Sequence, residues 1–344
     1  METHIIKTDG VKIDDCSLEN AAKILTNGGL VVFPTETVYG LGGNATDAEA
    51  AKKIYAAKGR PSDNPLIIHI SKPEEAEKYA VTNDIYYKLA RAFMPGPLTI
   101  ILPKKDTIPF SVTGGLDSVA IRCPSHPIAR QLIEAAGFPI AAPSANLSGK
   151  PSPTCARHVI EDLSGRVDMI IDGGDCEIGL ESTIIKLDGE TATLLRPGAI
   201  TSDALSCVCK SVEIAPAVLE QLKENERPLS PGMKYKHYAP KAPLILLDGE
   251  QKNVNNFLKK AQSKEKCAIL CYHEELSGLE NKNLIDIGMS NDLEMQAHKI
   301  FTALRDADDF DIDVIYAHLP PKDGIGLALY NRMIRAAAHT VIKV

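Results

Sequence analysis

Hydrophobic periodicity breaks down once along this chain, between Glu220 and Pro240, and that break constrains the fold more than any motif does. The stretch Arg227-Pro-Leu-Ser-Pro-Gly-Met-Lys-Tyr-Lys-His-Tyr-Ala-Pro240 is rich in proline, basic residues and tyrosine. Prolines at this density suit neither a helix interior nor a central strand, so the segment reads as an extended linker. The chain has 344 residues, enough for a domain of ordinary size on each side of it.

Before the linker, from Gly28 to about Cys209, β-rich runs alternate irregularly with helical ones. Strands are expected at Leu30–Phe33, Pro65–Ile70, Leu98–Leu102, Val119–Arg122, Met169–Asp172, Ser182–Leu187 and Thr193–Arg196. Helices are expected at Ala48–Ala57, with Asp47 as its cap, and at Glu74–Tyr79, Asp84–Ala92 and Ile128–Ala136. The order is not a strict βαβ repeat, which predicts a twisted mixed sheet with flanking helices. After the linker, strands at Leu244–Leu247, Ala268–Tyr272, Leu284–Ile287 and Val314–Ala317 alternate with helices at Asn253–Ala261, Leu293–Ala307 and Ala328–Ala338. That alternation predicts a small doubly wound, Rossmann-like α/β domain. The expected organisation is a domain over 1–215, a linker over 216–241 and a second domain over 242–344.

Composition narrows the function. A net charge of −7 gives no overall attraction for nucleic acid or anionic membrane, so phosphates must be met by a few placed cations. Met1–Ser17 has no apolar core of a signal peptide, and the longest uncharged run, Ala135–Gly149, is broken by prolines and polar residues. A cytoplasmic protein without a membrane span is expected. Eight cysteines stand apart with no Cys-x-x-Cys pair, which favours reduced thiols over disulfides or zinc.

Familiar nucleotide motifs are missing. No P-loop, Gly-x-Ser-x-Gly or His-Glu-x-x-His occurs. Gly40-Leu-Gly42-Gly-Asn-Ala45 matches the loose dinucleotide fingerprint, yet a tight turn needing glycine dihedrals is the better reading. Five other segments concentrate polar groups at the ends of apolar runs. They are Pro34-Thr-Glu-Thr-Val-Tyr-Gly-Leu-Gly42, Lys58-Gly-Arg60-Pro-Ser-Asp-Asn64, Ser118-Val-Ala-Ile-Arg122 with Leu194-Leu-Arg196, and Ser144-Ala-Asn146-Leu-Ser148-Gly-Lys-Pro-Ser152. Each has a plain reading as a helix end, a snorkelling arginine or a turn. Together they offer Lys58, Arg60, Arg122 and Arg196 with Ser and Asn donors, a set suited to phosphate and carboxylate. His126 and His318 read as capping or filling residues, and the acidic run Asp306–Asp313 as a solvated helix end, so no protein-held metal site is expected.

In this order and spacing, the motif from Pro34, Lys58-x-Arg60, Pro95-Gly-Pro-Leu-Thr99 and Ser144-x-Asn146 resemble the YrdC-domain threonylcarbamoyl-AMP synthases. The linker and the tail resemble the longer, two-domain branch of that family. The resemblance implies condensation of L-threonine, bicarbonate and ATP into threonylcarbamoyl-AMP, with Mg²⁺ brought by ATP. It also implies a tRNA-modifying threonylcarbamoyl-transferase complex as the product's acceptor. By matching motif, Lys58 and Arg60 are the expected catalytic cations. ATP is expected at Lys58, Arg60, Asn64, Ser118, Ser144, Asn146, Ser152, Arg196 and Tyr238. Threonine is expected at Thr37, His69, Arg122, the backbone of Ala142, and Ser182. Tyr238 and its linker neighbours are expected to close as a lid. Two other readings stand beside this one. Lys234-Tyr-Lys-His-Tyr238 interleaves cations and aromatics as an RNA-binding module or weak tRNA contact would. A hydrogenase-maturation carbamoyl-transfer protein would carry Cys-x-x-Cys zinc repeats, which this chain lacks.

Overall fold

The computed structural model describes residues 2–220, 238–280 and 282–344. They divide into two compact units. The first holds most of the chain up to residue 220, and the second holds the chain from Tyr238 together with Gly149–Pro151 and Ile178–Leu180. Linker residues 221–237 lie outside the described residues, and so does the Lys234–His237 part of the cation–aromatic stretch.

The first unit is built on one eleven-stranded sheet. Its strands are β1 (His4–Lys7), β2 (Val31–Phe33), β3 (Gly40–Asn44), β4 (Ile67–His69), β5 (Leu98–Pro103), β6 (Ser118–Arg122), β7 (Ile140–Ala141), β8 (Met169–Asp172), β9 (Thr183–Asp188), β10 (Thr191–Arg196) and β11 (Ser211–Ile214). Their order across the sheet is β1-β8-β2-β3-β7-β4-β6-β5-β9-β10-β11. Parallel pairs such as β4 with β6 adjoin antiparallel ones such as β4 with β7, so the sheet is mixed. Six helices accompany it: α1 (Asp15–Thr26), α2 (Ala48–Lys58), α3 (Asp84–Phe93), α4 (Pro127–Ala136), α5 (Ala156–Leu163) and α6 (Ser202–Ser206). Leu25 of α1 and Ile128 and Leu132 of α4 pack with Val31, Phe33, Ile140 and Met169 from the strands, forming one apolar core.

Two sequence expectations need correction. Gly40–Asn44 is strand β3, not a turn, and none of its glycines has a positive φ. Space is what requires glycine there: a Cβ on Gly42 would stand 2.8 Å from Ile140 and Phe33 side chains. The segment expected to be a helix at Glu74–Tyr79 is a 3-10 turn over Pro73–Lys78, too short and too proline-bounded to continue as an α-helix.

The second unit contains β12 (Leu244–Asp248), α7 (Gln251–Ala261), β13 (Cys267–Cys271), β14 (Leu284–Asp286), α8 (Leu293–Asp306), β15 (Val314–His318), α9 (Gly326–Ala336) and β16 (Val341–Lys343). Its five strands are all parallel in the order β14-β13-β15-β12-β16. Every residue of β13 is buried, as a parallel strand covered on both faces requires. Cys267, Ile269 and Cys271 pack beneath Val254 and Leu258 of α7, while Ala268 and Leu270 face the other way. All eight cysteines stand outside any disulfide. No helix among the described residues is long and apolar enough to cross a membrane.

Candidate functional site

The site follows the seam where β7 pairs with β4 and β4 with β6. At its first end stands α2. Asp47 caps that helix by accepting the Glu49 N–H, and Gly59 closes it in the left-handed conformation at φ 62°. This delivers Lys58, only 3% exposed, beneath the loop that follows β7. Its ammonium lies at hydrogen-bond distance from the carbonyl oxygens of Ser144 and Asn146 and 3.3 Å from Asn146 Oδ1. Ser144 Oγ donates to Asn146 Oδ1, and Ser148 N donates to the Lys58 carbonyl at 2.9 Å. Asp162 of α5 accepts the Leu147 N–H at 3.2 Å. Lys58 thus braces the Ser144–Asn146 loop from below, where a buried ammonium needs such acceptors.

Arg60 and Asn64 flank the same end. Arg60 Nη2 donates to the carbonyls of Asn64 and Pro65 at 3.3 and 3.1 Å, folding the guanidinium over the Pro-bounded turn. The Asn64 side-chain oxygen is buried without a hydrogen-bond partner. Ser118 starts β6, four residues and about 13 Å along the strand from Arg122. Because Ile67 lies opposite Ala120, Ser118 falls beside Pro65 at this first end.

The second end gathers His69, Arg122, Thr37 and Ser182. His69 and Arg122 lie opposite each other across the β4–β6 pair. Burial, together with the Arg122 charge, pushes the His69 imidazole down to about 3, so it is neutral near pH 7. Its Nδ1 faces the Ile140 carbonyl at 3.3 Å, which places the proton on Nδ1 and leaves Nε2 as an acceptor. Thr35 Oγ donates to the Val38 carbonyl at 2.6 Å, so the contact at 2.9 Å makes the Thr37 hydroxyl its donor. Ser182 Oγ meets Thr99 Oγ at 2.7 Å, and Arg196 donates to the Ser182 carbonyl and hydroxyl at 3.0 and 3.1 Å. Next to it, Ser152 Oγ donates to Glu181 at 2.6 Å. The Ala142 N–H is used by the Ile67 carbonyl, so a ligand reaching this residue's backbone meets its carbonyl side.

Arg122 and Arg196 are not the snorkelling surface arginines that strand ends often carry; they are 4% and 6% exposed. Arg122 Nη2 stands 2.8 Å from Glu36 Oε1, both side chains being buried. The approach is off the hydrogen-bonding direction, so both Glu36 oxygens and Arg122 Nε and Nη2 keep unfilled capacity. Leaving such groups dry and unfilled is costly, which marks them as prepared for a ligand.

Thirteen of the fourteen expected site residues thus fall in the first unit, along this seam and its flanks. Tyr238 belongs to the second unit, where it adopts φ 63° and stacks on Phe301 at 5.0 Å. Sequence reasoning passed over Glu36, Thr35, Thr99, Glu181 and Asp162. The first three sat inside motifs already singled out, and a glutamate at the end of an apolar strand was the available signal.

A family model described as "Telomere recombination" matches residues 23–198, and one for the threonylcarbamoyl-AMP synthase C-terminal domain matches residues 200–338. The threonylcarbamoyl-AMP synthase of Bacillus subtilis is 44% identical, covering 98% of this chain and 97% of the relative. That of Pyrococcus abyssi is 43% identical, with 97% of each covered. The crystal structure of Pyrococcus abyssi Sua5 complexed with L-threonine superposes with a TM-score of 0.91 at 41% identity, covering 100% of both chains. This chain therefore belongs to the two-domain threonylcarbamoyl-AMP synthase family.

Proposed function

We propose that this chain condenses L-threonine, bicarbonate and ATP into threonylcarbamoyl-AMP and pyrophosphate, for threonylcarbamoyladenosine formation in tRNA. The observation supporting it most is the buried, unfilled Arg122–Glu36 pair beside neutral His69, in a chain matching these synthases along both its units. The Pyrococcus abyssi relative was solved with L-threonine. A guanidinium with two open donors suits an amino-acid carboxylate. His69, Thr37, Ser182 and the Ala142 carbonyl surround it with groups able to select the threonine hydroxyl, and an amino acid lacking that hydroxyl would leave them unfilled.

ATP is assigned to the other end of the seam and to the flank of the second end that carries Arg196 and Ser152. The amide of Asn64 and the hydroxyls of Ser118, Ser144 and Ser152 would hold it with Asn146, and Arg60 and Arg196 would face its phosphates. Lys58 fixes the loop that presents Ser144 and Asn146. The carboxylated threonine itself attacks the α-phosphorus, so the protein supplies no nucleophile and positioning carries much of the rate. The attack builds charge on phosphoryl oxygens, which these cations stabilise. Among the described residues no group of three His, Cys, Asp or Glu is arranged around a metal position. Mg²⁺ would arrive on the ATP phosphates and neutralise their charge. The same reading places the reaction in the cytoplasm, with a threonylcarbamoyl-transferase complex taking the product.

The test is pyrophosphate release by the purified protein. Release that requires both threonine and bicarbonate, and falls by at least about 100-fold in Arg60→Ala, is the expected result. Release independent of threonine would sink the reading.

A further inference from the structure

Threonine reaches a synthase as an ammonium, and an ammonium cannot attack bicarbonate because its nitrogen has no lone pair. That proton must leave before the N–C bond can form, and a group at the second end of the seam is placed to take it. His69 is poorly suited, since burial and the Arg122 charge make it a very weak base. Arg122 of β6 stands beside Glu36, and the titratable groups that feel the Glu36 charge are Cys123 just after β6, His126 at the cap of α4, and Cys176 after β8. Arg122 is a permanent cation. Burial pushes both thiols up, Cys123 to about 12, so they stay protonated. Burial pushes His126 down, and its Nδ1 is already occupied by the Ile128 N–H at 3.2 Å. Glu36 is the carboxylate in this set, with both oxygens buried and free of hydrogen bonds.

We propose that Glu36 binds the amino group of the amino-acid substrate and takes the proton that it must lose, while Arg122 holds the carboxylate. This rests on the synthase reading above. One N–H bond of the ammonium breaks and its proton passes to a Glu36 oxygen. The freed lone pair forms the N–C bond to bicarbonate carbon. The bicarbonate C–OH bond breaks, and the departing hydroxide leaves as water with a second nitrogen proton. The product is the threonine carbamate, and the Glu36 proton is then released to solvent. Atoms and charge balance without an oxidant or a further reactant. The open geometry of the pair fits this use: a zwitterion entering beside it fills the donors of Arg122 and the acceptors of Glu36 together.

The experiment compares wild type, Glu36→Gln and Glu36→Asp in threonine-dependent pyrophosphate release from pH 6.5 to 9, with threonine binding followed by calorimetry. In Glu36→Gln, release at pH 7 is expected to fall about 100-fold. It should then recover about tenfold per pH unit as free amine replaces ammonium, while wild type stays nearly flat. Threonine should still bind, and Glu36→Asp should keep part of the rate with a wild-type pH profile. A Glu36→Gln rate within about threefold of wild type, or one lowered equally at every pH, overturns the proposal. Loss of threonine binding with no recovery at high pH or in Glu36→Asp overturns it too, because Glu36 would then only hold Arg122. A wild type without threonine-dependent release removes the synthase reading as well, so the two failures are distinguishable.

Discussion

Two buried glutamates, one in each unit, show how differently a buried charge can be used. Glu275 of the second unit follows β13 and is 5% exposed. It accepts the Tyr272 N–H at 3.0 Å, meets His318 Nε2 at 3.0 Å and takes a longer contact from Gln251 at 3.5 Å. The Tyr272 ring covers His318 at 4.3 Å, closing the cluster. Glu36 of the first unit is 3% exposed, yet its oxygens have an ion-pair neighbour and no aligned donor. Burial alone therefore does not mark a ligand site. Unfilled capacity on two opposite charges side by side, as in Glu36 and Arg122, is what fits a ligand there, because a satisfied network has nothing left to offer.

The contrast can be broken most sharply by removing one partner. Arg122→Met leaves Glu36 buried with no cation, and a loss of about 3–5 kcal/mol in denaturant unfolding is expected, along with threonine binding. Unchanged stability would mean that Glu36 reaches water and that the pair is not closed off from solvent. Filling the pair should act in the opposite direction. L-threonine at 100 times its Kd should stabilise the protein by about 2.7 kcal/mol, with slowed amide exchange at Glu36 and Arg122 and none at Glu275. Protection centred on the second unit would reverse the comparison.

Glu275→Gln tests the closed cluster. It should cost about 1–3 kcal/mol of stability while leaving pyrophosphate release within about twofold of wild type. An effect of similar size is expected on acid stability. His69 is pushed well below its ordinary 6.5, so its contribution is complete above pH 6.5 and is lost at about 1.4 kcal/mol per pH unit as pH falls toward 3. Burial pushes Glu275 up, but the His318 hydrogen bond and charge outweigh it and leave the carboxyl below its usual 4.5. Its contribution is complete above that value and is lost only below it. Melting curves from pH 7 to 4.5 should therefore slope through His69, and His69→Gln should flatten them.

Much of the fold was legible beforehand. Met169–Asp172 forms the strand expected of it, and Asp47 and His126 cap the helices that follow them. These depend on short-range rules, namely apolar runs and side chains that accept a nearby N–H. Some of the elements that escaped notice answer to distant neighbours, although α1, capped by Asp14, obeys the same short-range rules and was missed as well. His4–Lys7 is a strand because it pairs with β8, and Gly40–Asn44 is one because it pairs with β2 and β7, Phe33 and Ile140 leaving room only for glycine at Gly42. The site divides in the same way. Motif residues such as Arg60, Ser144 and Asn146 were visible through their spacing, whereas Glu36 and Glu181 were hidden as ordinary acids beside hydroxyls.

The amino-acid sequence by itself determined the two-part organisation, the order and kind of the main elements, and the family, because these rest on local periodicity and on motifs contiguous along the chain. The tertiary structure decided which polar groups are closed and which are open. That depends on strand register and on angles between residues far apart in sequence: the loop after β2 brings Glu36 to the end of β6, 2.8 Å from Arg122 but out of hydrogen-bond alignment. No pattern of period two or 3.6 encodes such an angle, and the site's chemistry turns on it.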